Sequence, residues 1–345
     1  MITASPLLAQ PESDLMPADW RRAMREAITD PGELLQLLGL GELASQIPAD
    51  AAGFPLRVPR GFVARMRHGD PFDPLLRQVL PLDAETLTVE GFGVDAVGDA
   101  AARSGRGVLQ KYAGRALLIA TGSCAVHCRY CFRRHYPYAE DSAASGAWQQ
   151  ALAAIAADPS VDEVILSGGD PLSLSTAKLA ELSGRLRELP QVRRLRIHSR
   201  LPVVLPERVD AELLEWLAAL PLQKVMVVHA NHAAEFDASV ARALGALRSV
   251  GMTVLNQAVL LRGINDSVAA QVALAEASFA AGALPYYLHQ LDRVAGAAHF
   301  EVSDACALRI EAGLRERLPG YLLPRLVREV AGAASKLPLG LATEL

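Results

Sequence analysis

Between residues 116 and 289 six short apolar runs recur, each followed by polar or glycine-rich residues and separated from the next by a longer segment. They occupy residues 116–120, 163–167, 194–198, 224–229, 253–257 and 285–289. Helices are predicted at 147–157, 176–188, 210–220, 234–250 and 268–280. Parallel neighbours need a long crossover, so strands alternating with helices of this length imply right-handed βαβ units and a parallel sheet. The class is α/β, and six such units make an open or complete barrel. Polar residues gather where the runs end: Cys124, Asp170, His198, Ser199, Arg200, His229, Asn231, Asn256, Gln257, His289 and Asp292. In α/β barrels that end is where sites are built. Any one of these residues serves equally well as a cap or a satisfied core group. Six consecutive strands ending alike point to an enzyme.

The first run leads directly into Cys124, Cys128 and Cys131, a C-x3-C-x2-C array holding three of the chain's four cysteines. Three thiolates on one tight loop can each bind a different iron of a [4Fe–4S] cube, leaving the fourth iron open to a small chelating molecule. A structural zinc loop is the alternative. Closed zinc sites want four ligands, and His127 or His135 is available as the fourth. A disulfide reading is weaker, because an intracellular chain keeps its thiols reduced and three is an odd number.

The 345 residues, 51% hydrophobic, suffice for one large domain with appendages or for two smaller ones. A net charge of −4 offers no broad basic surface for nucleic acid. The opening MITASPLLAQPESD lacks a basic start and an apolar core, so it does not read as a signal peptide. No apolar run reaches the ~18 residues of a membrane span. The expected location is cytoplasmic, which suits an oxygen-sensitive cluster. Residues 1–104 read as a separate, mainly helical cap, a lid or packing element without chemistry of its own. Asp19-Trp20 opens a helical pattern, Asp30-Pro31 restarts it, and Leu34, Leu35, Leu37 and Leu38 supply an apolar face. Pro48, Pro55, Pro59 and Pro71 then divide the chain into short pieces, with loops at 91–93 and 104–107. Gly168-Gly169 closes the second run. Such a turn is common, but next to the cluster strand its missing side chains would let backbone approach a ligand held there. Beyond the barrel an extended piece, 323–330, precedes Lys336 in a loop of small residues. A lysine so placed is ordinarily just solvated.

The cysteine array resembles the signature of the radical S-adenosylmethionine (SAM) superfamily. From about Trp20 onward the chain is similar to the lysine 2,3-aminomutase family within it. The resemblance is carried by Lys111-Tyr112, Cys124 through Arg134, Ser167 through Pro171, His198 through Pro206, and His229 through His232. It continues through Asn256-Gln257, Leu260 through Asp266, Pro285 through His289 with Asp292, and Gly320 through Lys336. The text at Cys128–His135 and Arg328–Lys336 is most similar to the short bacterial members that make β-lysine for elongation factor P.

That resemblance implies a radical SAM partial (β/α)6 barrel over 105–319, an N-terminal mainly helical region over 1–104, and a C-terminal segment over 320–345 that binds pyridoxal 5′-phosphate (PLP). It implies an isomerase that converts (S)-α-lysine to (R)-β-lysine with a [4Fe–4S] cluster, SAM and PLP. A 5′-deoxyadenosyl radical would take hydrogen from C3, and an imine to PLP would give the migrating nitrogen the π system that a plain amine lacks. By the same resemblance Cys124, Cys128 and Cys131 hold the cluster, and Lys336 holds PLP as a Schiff base. Lys111, Tyr112 and Arg115 contact PLP and its phosphate. Gly168, Gly169, Asp170, Ser199, His229 and Gln257 line the SAM site. Arg133 grips the substrate carboxylate, while Asp292 and Glu329 take the distal ammonium, Glu329 standing where fermentative relatives carry aspartate. Those relatives also carry a longer C-terminal extension with a cysteine-rich zinc site. Here nine residues follow Lys336 and Cys306 is the only further cysteine, so no structural zinc is expected and the family's tight oligomer is in doubt, with a homodimer left open. The implied partners are lysine, elongation factor P with its lysyl-ligase, and an external electron donor such as flavodoxin or ferredoxin. Glutamate or ornithine as substrate, or a non-catalytic iron–sulfur or zinc scaffold, are the competing readings.

Overall fold

The computed structural model describes residues 19–47, 53–141 and 148–340. Pro48, Ala147, the opening residues read above for a signal peptide, and the end of the C-terminal tail lie outside them. Ten strands form one sheet in strictly sequential order: β1 Arg103–Gly105, β2 Val108–Leu109, β3 Arg115–Thr121, β4 Glu163–Gly168, β5 Arg194–Ser199, β6 Gln223–His229, β7 Thr253–Val259, β8 Leu284–His289, β9 Arg325–Arg328 and β10 Leu337–Pro338. Strands β3 to β9 are parallel. Antiparallel β1 and β2 finish one edge, and antiparallel β10 the other. The six expected strands are all present, and the extended piece near 323–330 becomes a seventh parallel strand. The sheet is an open, barrel-like arc.

Register explains how this sheet makes both a core and a site. Leu118, Leu166, Ile197, Met226 and Val254 stand side by side across five strands, and all are buried. Side chains alternate across a strand, so the neighbouring row, Leu117, Ile165 and Arg196, faces the other way and lines a cavity. The crossover helices close over the first face. Thr176–Leu186 starts on a Ser175 cap and buries Leu179, Leu182 and Leu186. Ala238–Ser249 starts on Asp237 and buries Val240, Ala243, Leu244 and Leu247. Both follow the three-to-four-residue spacing of an amphipathic helix.

Three expectations change. The N-terminal region is not a separate body: Trp20, Leu34, Leu35 and Phe62 belong to the same buried cluster as the sheet residues Leu118 and Ile197. Nor are its described residues mainly helical, because their α-helices are only Trp20–Arg25, Pro31–Leu37 and Arg60–Val63, joined by 3-10 turns and loops. The prolines and glycines that divide it prevent longer helices. The loop read at 104–107 is half strand, since β1 pairs with β2. A helix not anticipated, Asp304–Arg317, links β8 to β9 from a Ser303 cap. No described helix is long and apolar enough to cross a membrane.

Candidate active site

A cavity of about 610 Å³ lies against the C-terminal ends of the parallel strands, and it gathers Phe54 and Val97 from the N-terminal region and residues from β2 through the loop before β10. Strand β3 delivers the cysteine loop to one side of it. Cys124, Cys128 and Cys131 all line the cavity as free thiols. Burial drives the Cys124 thiol well above its usual range, helped by Asp170 and the other two cysteines. Burial and Cys128 push Cys131 up to about 11. Thiols this close resist ionising together, so holding three as thiolates needs a cationic group among them, as an iron cube supplies. Among the described residues no three His, Cys, Asp or Glu side chains converge on a single ion position. Both histidines considered as a fourth zinc ligand point a ring nitrogen elsewhere: His127 Nδ1 to the Pro55 carbonyl at 2.8 Å, His135 Nε2 to the Ala295 carbonyl at 3.1 Å.

The loop is held from the N-terminal side. Arg129 is fully buried and meets Glu85 through Nε at 2.8 Å and through Nη2, while Arg134 reaches the same carboxylate at 2.8 Å. Arg200 Nη1 donates to Cys128 Sγ at 2.6 Å. Gly168 and Gly169 have a more immediate reason to be glycine than approach to a ligand. A Cβ on Gly169 would lie 2.5 Å from the Ser123 carbonyl oxygen, and one on Gly168, at φ +114°, 2.7 Å from that of Thr121. The backbone that comes close is the cluster loop itself, which accepts from Gly169 N at 2.7 Å and Asp170 N at 2.8 Å.

Asp170 likewise faces its own surroundings. Its carboxylate accepts from Ser199 Oγ and Arg200 N, both at 2.7 Å, and from Leu172 N at 3.0 Å. Burial nonetheless pushes it up to about 6. It and Ser199 both line the cavity, and their hydrogen bond also ties the ends of β4 and β5 together. His229 and Gln257 stand opposite each other on β6 and β7 and both line it. His229 Nε2 lies 3.2 Å from His198 Nδ1. Burial holds His198 well below its usual range and His229 down to about 4, so both rings are neutral near pH 7. Asn231 and Asn256 do not join the site. Asn256 bonds the backbone of Ala230 at both ends of its amide, and Asn231 is used on Gln78, Tyr130 and Val259.

At the other side β9 and β10 pair so that Leu337 sits across from Arg328, which brings the adjacent Lys336 to Glu329. Lys336 Nζ is 2.5 Å from Glu329 Oε2, and Tyr112 Oη donates to Oε1 at 2.7 Å. Lys111 Nζ stands 3.6 Å from the same carboxylate. Burial opposes the Glu329 charge, but Lys336 and these neighbours outweigh it and hold the group low. Asp292 differs. Burial pushes its carboxyl up to about 7 against the pull of Lys336. The solvent-exposed Arg115 lies at the cavity wall, its guanidinium 5.6 Å from the Tyr112 ring centre. Arg133 Nε bonds Asp99 at 2.7 Å and Nη1 bonds Ser167 at 3.2 Å. Lys111 pairs with the other oxygen of Asp99 at 2.8 Å.

Asp99 is the residue that sequence reasoning missed. It sits in a stretch of glycine, alanine and valine without periodicity, and nothing local marks it. Yet it ties the arginine beside the cysteines to the lysine beside Lys336. Burial works against its charge, but Arg133 and Lys111 hold it below the usual carboxylate range.

Comparison with known proteins agrees with this geometry. The family described as a 4Fe-4S single cluster domain matches residues 105–196. The L-lysine 2,3-aminomutase of Escherichia coli (strain K12) is 47% identical over 94% of this chain and 95% of its own length. That of Haemophilus influenzae is 45% identical over 92% and 94%. The L-lysine 2,3-aminomutase of Clostridium subterminale is 31% identical over 93% of this chain but 77% of its own length. Among solved structures, a radical SAM methyltransferase from Sphaerobacter thermophilus covers 64% of this chain and 68% of its own with a TM-score of 0.46 at 19% identity, a likeness too distant to support the fold.

Proposed function

The chain belongs to the lysine 2,3-aminomutase family, and from that premise we propose that it moves the amino group of L-lysine from C2 to C3, making β-lysine for the modification of elongation factor P. The observation that carries the substrate is the charge layout of one cavity: an arginine beside the cysteines, and two carboxylates beside Lys336. A lysine molecule offers the complement, a carboxylate at one end and an ammonium at the other. Glutamate ends in a second anion and would meet Asp292 and Glu329 unfavourably.

When bound, the cluster with SAM supplies a radical strong enough to take hydrogen from an unactivated carbon, and PLP supplies the π system for nitrogen migration. The residues fit those groups. Cys124, Cys128 and Cys131 would hold the cluster, His229, Gln257 and the glycine turn would border SAM, and Lys336 with Lys111, Tyr112 and Arg115 would hold PLP. Arg133, steadied by Asp99 and Ser167, has Nη2 free of protein hydrogen bonds among the described residues and can receive a carboxylate. Asp292 can receive an ammonium, which would also relieve its buried charge. Two anchors fix the carbon between them, and positioning of this kind turns binding energy into rate. Exclusion of water from the reacting groups by bound cofactors and substrate would protect a radical from side reactions.

Anaerobic incubation with SAM, PLP, a reductant and lysine should yield β-lysine, with glutamate and ornithine turned over far more slowly. A preference for glutamate would overturn the substrate, and absence of SAM cleavage would favour the scaffold reading. Identity of 47% to the E. coli relative, against 31% to the clostridial one, supports reading the chain with the former. The link to elongation factor P, an electron donor of the flavodoxin or ferredoxin kind, a homodimer and a cytoplasmic location remain parts of this proposal. Loss of the β-lysyl mass from elongation factor P in cells lacking the protein tests the first of them.

A further inference from the structure

Arg200 has no evident part in holding substrate, yet it is among the most heavily engaged side chains in the molecule. It follows β5, is 6% exposed, and donates from Nη1 to Cys128 Sγ at 2.6 Å. Its Nη2 donates to Gln78 Oε1 at 2.7 Å and to Glu235 Oε2 at 3.0 Å. Those two residues are themselves fully buried and joined, Gln78 Nε2 to Glu235 Oε1 at 3.1 Å. Asn231 donates to Gln78 Oε1 at 2.9 Å, and its backbone N to Glu235 Oε1 at 2.8 Å. Tyr130 and Phe62 flank the guanidinium, each ring centre 5.6 Å away. Three distant parts of the chain thus converge to aim one cation at one cysteine. Packing alone would be met more cheaply by an apolar side chain, since burying a charge is unfavourable unless it is well partnered.

We propose that Arg200 is a positioning residue that sets the reduction potential of the cluster through its hydrogen bond to Cys128, with Gln78 and Glu235 fixing its direction. The inference rests on the proposed cluster site. Hydrogen bonds to cluster sulfurs and local charge are among the factors that set iron–sulfur potentials. One-electron reduction adds negative charge beside Cys128, and a donor fixed there favours the reduced form. Of the three cysteines, only Cys128 receives such a donor from an arginine side chain among the described residues. Its fixed orientation needs no rearrangement when the electron arrives.

The test is an anaerobic redox titration of the iron-loaded full chain without SAM or lysine, followed by electron paramagnetic resonance, with iron content measured on each sample. Arg200→Gln should move the midpoint negative by about 59 mV, a tenfold change in a one-electron equilibrium. Arg200→Lys, which keeps a charge but not the fork, should fall between this and wild type. Gln78→Leu leaves Arg200 in place but removes one acceptor that aims it, and should give a smaller shift of the same sign. Iron-loaded variants with the wild-type midpoint, or a positive shift, overturn the proposal. If Arg200→Gln does not hold iron, the Lys and Leu variants decide by the same criterion. Wild-type protein that takes up no iron would instead refute the underlying cluster site.

Discussion

The two sides of the cavity are built on opposite principles. Around the cysteines the ion pairs are matched in advance, with their side chains buried: Glu85 with Arg129 and Arg134, Glu235 with Arg200. Around Lys336 the charges compete. Glu329 is shared by Lys336, Lys111 and Tyr112, and Asp292 is left near neutrality by burial. A fixed inorganic group needs a rigid frame that does not change when it is loaded. A site that takes up and releases organic molecules needs groups whose partners can be exchanged. Buried ion pairs suit the first task because they are costly to break, not because they add much net stability.

The largest effects should separate the two sides completely. Cys124→Ala, Cys128→Ala or Cys131→Ala should each abolish SAM cleavage and iron uptake, while Cys306→Ala stays near wild type; cleavage assays and iron analysis decide. Stoichiometric zinc with negligible iron in protein purified anaerobically would refute the cluster. Lys336→Ala should do the reverse, losing aminomutase turnover and borohydride-trapped PLP while keeping reductive SAM cleavage. Trapping on another lysine would remove Lys336 from its role.

Asp292→Asn should lower lysine kcat/KM by orders of magnitude, because removing one partner of a buried charge pair costs about 3–5 kcal/mol. Glu329→Asp should be milder, since it keeps the charge. The pH profile sharpens the contrast. Asp292 titrates near 7 in the free protein, so lysine kcat/KM should rise with pH through about 7, and Asp292→Asn should flatten that limb. Stability runs the other way. The folded value lies above the ordinary 3.8, so between about 4 and about 7 the native state binds more protons than the unfolded one, and this group's contribution falls as pH rises through that window.

On the rigid side Glu85→Gln leaves two buried arginines facing one neutral amide, and denaturant unfolding should show a loss of about 3–5 kcal/mol. The smallest effect should come from Tyr112→Phe, which removes one hydrogen bond to a charged group and should cost about 1.5–3 kcal/mol, read as a modest loss of PLP affinity with SAM cleavage intact.

How far the sequence revealed this depends on chain distance. Strands and helices repeat locally, so their periodicity was legible, and the three cysteines lie within one loop. The 14-residue helix Asp304–Arg317 escaped because its text is polar on most faces and only its cap and helix-forming composition mark it. The frame around the cluster escaped for another reason. Gln78 meets Glu235 across 157 positions, and Glu85 meets Arg129 across 44. No spacing rule joins residues so far apart; only the closed fold shows that they are neighbours. The matched family text marked Asp170 and Ser199 as site residues, but not that the bond between them also ties neighbouring strands together.

The sequential strand order also makes assembly a matter of timing. During synthesis each strand leaves the ribosome next to the one already in place, so the sheet can extend from one edge without rearrangement. The cysteine loop follows the third strand, whereas Lys336 arrives with the tenth. A nascent chain can therefore surround its iron site well before it possesses the lysine. For some interval it would still lack the edge hairpin that brings the lysine to the cavity.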